Sequence, residues 1–237
     1  MDADKPALEI TGLQAWYGTS QVLHGVDGRV GAGEIVAVLG RNGAGRSTLA
    51  RAIMGWVQCT GSVRVHGHEM LGQPVHARAR AGLGYVPESR DVFPSLSVQH
   101  NLALGKKPGQ RQPRWTFADM YRLFPQLALR RDTPAGVLSG GEQQMLALAR
   151  TLMGDPDVLI VDEPTEGLAP QLVQQVADFL CDLRGRGVSV LLIEQKLALA
   201  LRIADRCLLM GHGRVVFAGP PAALSADAEL RRIWLEV

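Results

Sequence analysis

The chain has 237 residues, of which 46% are hydrophobic, and its 25 basic and 23 acidic side chains leave a formal charge of +2. That near-balance excludes nucleic-acid binding driven by bulk positive charge, and no run reaches the roughly 18 apolar residues of a membrane-spanning helix. The acidic start, MDADKPALEI, does not read as a secretory leader, and Cys59, Cys181 and Cys207 form no metal spacing, which fits reduced thiols in a cytosolic compartment.

LEITGLQAWYG alternates apolar and polar residues before reaching aromatics, which predicts an edge strand and turn; VLHGVDGRV predicts a second strand. EIVAVLG, residues 34–40, is a compact apolar run ending in glycine and predicts a fully buried parallel strand. The stretch LGRNGAGRST follows. A phosphate-cradling loop reads Gly, four residues, Gly, Lys, then Ser or Thr. Gly40, Gly45 and Ser47 hold their places around Asn42, Gly43, Ala44 and Thr48, but position 46 is arginine. Glycines at 40, 43 and 45 let the backbone turn its N–H groups inward as an anion nest. A helix predicted over STLARAIMGWV adds its positive end, and Ser47 offers a hydroxyl to magnesium. Lysines are confined to Lys5, Lys106, Lys107 and Lys196, every other basic residue being arginine. Arg46 is therefore either drift tolerated in an arginine-biased chain or an alteration of the site.

GSVRVHGHEM predicts a short hairpin, with His66 and His68 as a surface pair on one strand face; none of the six histidines shows a metal spacing. Arg90 reads as a solvated or partner-facing charge. Residues 97–138 read as mostly helical, with Phe117, Met120, Tyr121, Phe124 and Leu127 on one apolar stripe, interrupted by the breaker-rich surface loop GKKPGQRQPRW, residues 105–115. VLIVDEP, residues 158–164, is a second buried strand, and it delivers two carboxylates to its end. Burying unpaired charge costs several kcal/mol, and strand neighbours face opposite ways, so the two acids have different jobs. Asp162 would hold magnesium through water and Glu163 would accept a proton from an attacking water. VSVLLIEQ is a third such strand, and CLLMGHGRVVFAG predicts two strands around a Gly-His-Gly turn. Strands alternating with helices imply a parallel sheet covered on both faces, with ligands beyond the carboxyl ends of the strands, where Gly40, Asp162 and Gln195 fall.

In LSGGEQQMLALAR, residues 138–150, Ser139 caps a helix whose start attracts phosphate. This stretch resembles the signature of ATP-binding cassette proteins, and the order of motifs also matches: aromatic, phosphate loop, signature, acidic strand, switch residue. The resemblance covers nearly the whole chain, from about Leu8 to Val237. It implies a P-loop NTPase of the α/β class in a single domain, 1–237, with a RecA-like parallel core, an antiparallel β layer and an inserted helical subdomain at about 87–135. It implies ATP and Mg²⁺ as ligands. By position it places Tyr17, with Trp16 as a neighbouring alternative, on adenine, Glu88 near magnesium and the membrane partner, and Gln195 where a switch histidine is usual. Ser139, Gly140 and Gly141 would bind the γ-phosphate held by a second subunit. Ala169, in DEPTEGLAP, departs from the usual aspartate.

YVPE…VFP, DEPTEGLAP and IEQ together resemble the branched-chain amino acid importers, specifically their shorter ATPase, with urea and short-amide importers as the close alternative. In that reading the partners are two transmembrane permease subunits, a second ATPase (a copy or a sister) and, indirectly, a periplasmic solute-binding protein. No nucleic acid is involved, and the site of action is the cytoplasmic face of the inner membrane. Cassettes that act on ribosomes usually carry two loops and two signatures per chain, and DNA-repair relatives insert a long coiled coil; this chain has one of each motif and no sustained heptads between Gly45 and Ser139. A degenerate, poorly hydrolysing nucleotide-binding partner is the reading that Arg46 supports.

Overall fold

A computed structural model describes residues 5–107, 109 and 113–235. The first four residues, the last two, and Pro108 and residues 110–112 of the breaker-rich loop lie outside the described residues.

The chain opens with two long strands, β1 (Leu8–Tyr17) and β2 (Ser20–Val30), and then the wholly buried β3 (Ile35–Leu39), which leads through the glycine loop to α1 (Arg46–Met54). The hairpin of β4 (Gln58–Val65) and β5 (His68–Glu69) follows, then α2 (Val75–Arg80) and β6 (Leu83–Val86). Three short helices, α3 (Val98–Leu104), α4 (Phe117–Leu123) and α5 (Pro125–Leu129), lead to α6 (Gly140–Leu152). Strands and helices then alternate through β7 (Val158–Asp162), α7 (Pro170–Gly185), β8 (Ser189–Ile193), α8 (Leu197–Ile203) and β9 (Arg206–Gly211), and the hairpin partner β10 (Arg214–Gly219) leads to α9 (Pro221–Ala226) and α10 (Ala228–Trp234).

The strands form two sheets, β2-β1-β4-β5, which is antiparallel, and β10-β9-β3-β8-β7-β6, in which only β10 runs against its neighbour. Period-2 alternation assigns the faces of the larger sheet. Ile35, Leu159, Val161, Val190 and Leu192 pack against α6 and α7 through Leu146, Leu148, Phe179, Leu180 and Leu183. Val36, Val38, Ile160, Leu191 and Ile193 face the antiparallel layer and α1 through Leu8, Leu23, Leu49 and Ile53. Both faces are therefore dry, and β3, β7 and β8 are apolar at every position but Asp162 and Ser189.

Two sequence expectations are corrected here. β1 is not an edge strand: β4 returns antiparallel along its far side, so it is hydrogen-bonded on both flanks. Alternation of Leu8, Ile10, Leu13 and Ala15 shows that one face is buried, and says nothing about how many neighbours a strand has. His66 and His68 do not share a strand face. His66 lies in the β4–β5 turn at φ 49°, with its Nε2 3.3 Å from Asp157, and only His68 is on a strand. The cysteines are unbridged, as expected, and burial pushes the Cys207 thiol up to about 11, which keeps it protonated and inert.

The helix that begins at Arg46 is anchored at its other end by a buried cation. The Arg78 side chain donates from Nη1 to the carbonyls of Ala52 (3.1 Å) and Ile53 (2.5 Å) and from Nε to that of Gln73 (3.1 Å). Charged hydrogen bonds of this kind contribute about 1.5–3 kcal/mol. Arg78→Ala is expected to destabilise the protein by about 3 kcal/mol, read as a lower urea midpoint at unchanged slope. Arg78→Lys should recover less than half of the loss, because an ammonium lacks the planar fork that reaches three carbonyls.

Candidate functional site

The glycine loop is shaped from beneath. Gly40 has φ 152°, and a Cβ there would stand 2.5 Å from the Met210 carbonyl. The Gly-His-Gly turn between β9 and β10 then supports the loop directly: the Gly213 amide donates to the Ala44 carbonyl (3.0 Å), and its own carbonyl accepts from His24 N (2.9 Å). Ala44 and Gly45 are buried in this support, whereas Asn42 and Gly43 are exposed on the loop crest. α1 starts at Arg46, so its free N–H groups and positive end open onto the cleft above.

The Arg46 side chain is only 5% exposed. Its Nη2 donates to Asn42 Oδ1 (3.2 Å) and to Glu163 Oε1 (2.8 Å), forming an ion pair with a carboxylate whose side chain is 12% exposed. Its Nη1 is buried with no protein partner. The strand that brings Glu163 ends at Asp162. Glu163 turns out at φ 45°, in the left-handed region that costs a non-glycine residue of order 1–3 kcal/mol, and its amide donates to Ile193 O (2.9 Å). The two acids differ because the backbone turns between them, more sharply than strand alternation requires. Asp162 is buried and accepts from Ser47 Oγ (3.2 Å) and from the Tyr85 hydroxyl (3.1 Å).

Burial pushes the Asp162 carboxyl above the ordinary aspartate range, and the nearby Glu88 charge adds to this, against the opposing Tyr85 and Ser47 hydrogen bonds. Burial likewise raises Glu163; the Arg46 guanidinium opposes the rise, while Glu88, Asp162 and Glu194 reinforce it. The Tyr85 hydroxyl is raised by burial and by the Asp162 charge, and so stays a donor.

Arg46, Ser47, Thr48, Gly43, Gly45 and Asn42 share one cleft of about 600 Å³ with Glu88, Glu163 and Gln195. That volume is within the range of sites that take drug-sized ligands. Val22 and Glu166 also line it, and Tyr85 and Glu194 support it from behind. Sequence reasoning missed these four, although each lies in a stretch it quotes: Val22 opens VLHGVDGRV, Tyr85 opens YVPE, and Glu166 and Glu194 lie in DEPTEGLAP and IEQ. Other expected residues are elsewhere. Gly40 lies under the loop. Tyr17 is 43% exposed, and its hydroxyl accepts from Arg51 Nη1 (3.3 Å). Ser139, Gly140 and Gly141 begin α6 outside the described lining of the cleft, with Ser139 exposed and in a capping box with Glu142. Arg90, which reads as solvated or partner-facing, is half-buried at φ 66°, its Nη2 3.4 Å from the Glu166 carbonyl and its guanidinium against Gly140.

The donor set suits a polyphosphate and its metal. The orphaned Arg46 Nη1 and the helix end match phosphate oxygens, and Ser47, Asp162 and Glu88 form the all-oxygen set that Mg²⁺ prefers.

Comparison with known proteins agrees with this chemistry. Residues 23–166 match the family model described as ABC transporter. The high-affinity branched-chain amino acid transport ATP-binding protein BraG of Pseudomonas aeruginosa is 41% identical over 94% of this chain and 97% of its own length. A lipopolysaccharide export system ATP-binding protein, LptB of Acidithiobacillus ferridurans, is 33% identical over 96% of each. Among solved structures, the ADP conformation of an ATP-binding cassette of an ABC transporter superposes with a TM-score of 0.83 over 97% of this chain and 98% of that one, at 23% identity, which speaks for the fold.

A carboxylate whose pKa is raised by folding destabilises the folded state above that pKa and ceases to do so as the pH falls to its unfolded value. Asp162→Asn, measured without nucleotide, is therefore expected to raise Tm at pH 7 by about 2 °C. The gain should vanish as the pH falls through the raised Asp162 pKa to below the ordinary aspartate range. A lower Tm at pH 7 would show that the Asp162 charge stabilises the fold.

Proposed function

This chain belongs to the ABC transporter family of transport-coupled, ATP-binding ATPases, and we propose that it is the shorter ATPase of an importer for branched-chain or other hydrophobic amino acids. The observation that carries the hydrolytic part is the convergence of Arg46, Ser47 and Glu163 in one cleft, with the buried Asp162 accepting from Ser47 at its base. The similarity to BraG supports the solute class.

In this reading the loop 40–48 and the start of α1 grip the ATP phosphates, and Arg46 presents Nη1 to them. Tyr17 lies on the adenine side. Ser47 and Asp162, with Glu88 beside them, would hold Mg²⁺, which when bound neutralises charge developing on the phosphates. Glu163 accepts the proton of the attacking water, and Gln195 orients that water. Ser139, Gly140 and Gly141 are outside the cleft of their own chain, so they serve the nucleotide of a second subunit. Two copies, or this chain and a sister ATPase, pair head to tail around two ATP molecules. The helical segment at 87–135 within the single domain docks on two transmembrane permeases at the cytoplasmic face of the membrane. Among the described residues no helix is long and apolar enough to cross it. A periplasmic binding protein would deliver the solute.

Arg46 is the feature that sets the rate. Its ion pair keeps Glu163 engaged with a cation, and a base so paired is a poorer proton acceptor. The wider guanidinium also places its charge less sharply than an ammonium at the transferring phosphate. Purified protein should bind Mg-ATP and hydrolyse it slowly, with Glu163→Gln inactive. Arg46→Lys is expected to raise kcat about tenfold or more, and to change the Kd for Mg-ATP by less. Absence of ATP binding would favour a degenerate module, and an unchanged rate would mark Arg46 as tolerated drift. For the solute, the periplasmic binding protein encoded beside this chain should retain a branched-chain amino acid; retention of sugar alone would overturn that assignment.

A further inference from the structure

Glu194 is buried, at 2% exposure, at the end of β8 and immediately before Gln195. Its carboxylate is held by three donors. Oε1 accepts the backbone N–H groups of Gln195 and Lys196, both at 2.9 Å, and Oε2 accepts the hydroxyl of Thr165 at 2.8 Å. Thr165 is fully buried in the loop that follows Glu163. The tie runs both ways, since Lys196 Nζ donates to the Thr165 carbonyl at 2.8 Å, and the Glu163 amide already donates to Ile193 O at 2.9 Å.

A buried carboxylate is an expensive way to finish a strand, because the desolvated charge costs several kcal/mol unless hydrogen bonds offset it. A small hydroxyl residue would close the same turn with less to offset. What the carboxylate adds is reach, since it holds two loops at once. The residues it ties alternate with residues that line the cleft. Thr165 stands between Glu163 and Glu166, and Gln195 stands between Glu194 and Lys196. We propose that Glu194, with Thr165 and Lys196, is a positioning clamp that holds Gln195 and the loop bearing Glu163 as one unit at the reacting phosphate. None of the three touches the cleft itself, so they act through Glu163 and Gln195, and the inference rests on the hydrolytic reading of those two residues.

The expected signature is a change in turnover without a change in nucleotide grip, because the phosphate loop is on a different strand and is not part of the clamp. In the full chain, Thr165→Val removes the hydroxyl at constant shape. It should lower kcat on the order of tenfold to a hundredfold while the Kd for Mg-ATP shifts by less than about twofold. Thr165→Ser should restore turnover. Lys196→Met, after which the Thr165 carbonyl still accepts from Leu168 N (3.3 Å), should lower kcat in the same way by a smaller factor. In a Gln195→Ala background Thr165→Val should cost less than it does alone, since residues acting as a unit are not additive. Wild-type kcat in both Thr165→Val and Lys196→Met would overturn the clamp. So would failure of Thr165→Ser to restore turnover, equal losses of kcat and ATP affinity, or full additivity with Gln195→Ala. The control separates the two readings: if Glu163→Gln hydrolyses ATP at the wild-type rate, the assignment of Glu163 fails and the clamp with it, whereas an inactive Glu163→Gln beside unaffected Thr165→Val and Lys196→Met sinks the clamp alone.

Discussion

The contact on which this site depends is the ion pair between the Arg46 guanidinium and the Glu163 carboxylate, 2.8 Å apart and nearly dry. The sheet order places β8 between β3 and β7, so the strand ends that supply the two residues are two strand spacings apart, roughly 10 Å. A long side chain starting at the first residue of α1 can span that gap. The pair is not a strong stabiliser of the fold, because desolvating two charges consumes most of what their attraction returns. Its effect is to fix geometry: it pins the acid in a left-handed turn, and it leaves the second amino group of Arg46 unsatisfied and available to an anion.

The surroundings keep that arrangement in place. Burial of both sheet faces removes water beneath the strand ends, which raises Asp162 and Glu163 together and strengthens every polar contact nearby. Tyr85 and Ser47 hold the first acid, and Arg46 holds the second. Each carboxylate thus has its own donors, and the division of labour between them follows from which donors the neighbouring strand and helix supply.

Much of this was readable in the residues themselves. The apolar runs that became β3, β7 and β8, the glycine loop and the capped start of α6 carry local signals that tertiary context did not override. What the chain order could not show was pairing between distant segments. β1 has neighbours on both flanks because of a strand some fifty positions later, and alternation is blind to that. Glu194 and Thr165 are ordinary residues in sequence and become informative only when β7 and β8 lie side by side. Arg46 and Glu163 were each singled out, but nothing in either stretch says that they touch. The contact of Arg90 with a backbone carbonyl at Glu166 likewise has no sequence signature.

The Gly-His-Gly turn has a further consequence. A Cβ at Gly213 would stand 1.9 Å from the Val22 carbonyl, and one at Gly40 would press on Met210 O. The Trp234 ring closes on the same turn, packed against Gly211 and edge-on to His212. The phosphate loop therefore has a hard floor of backbone and a soft ceiling open to the cleft. Evolutionary change in this loop has one direction in which to go. Added bulk at 40 or 213 meets main chain that cannot retreat, whereas the extra atoms of arginine at 46 extend upward, where an acid was waiting to receive them. The position that departs from the common pattern is the one at which a larger side chain meets a carboxylate rather than main chain.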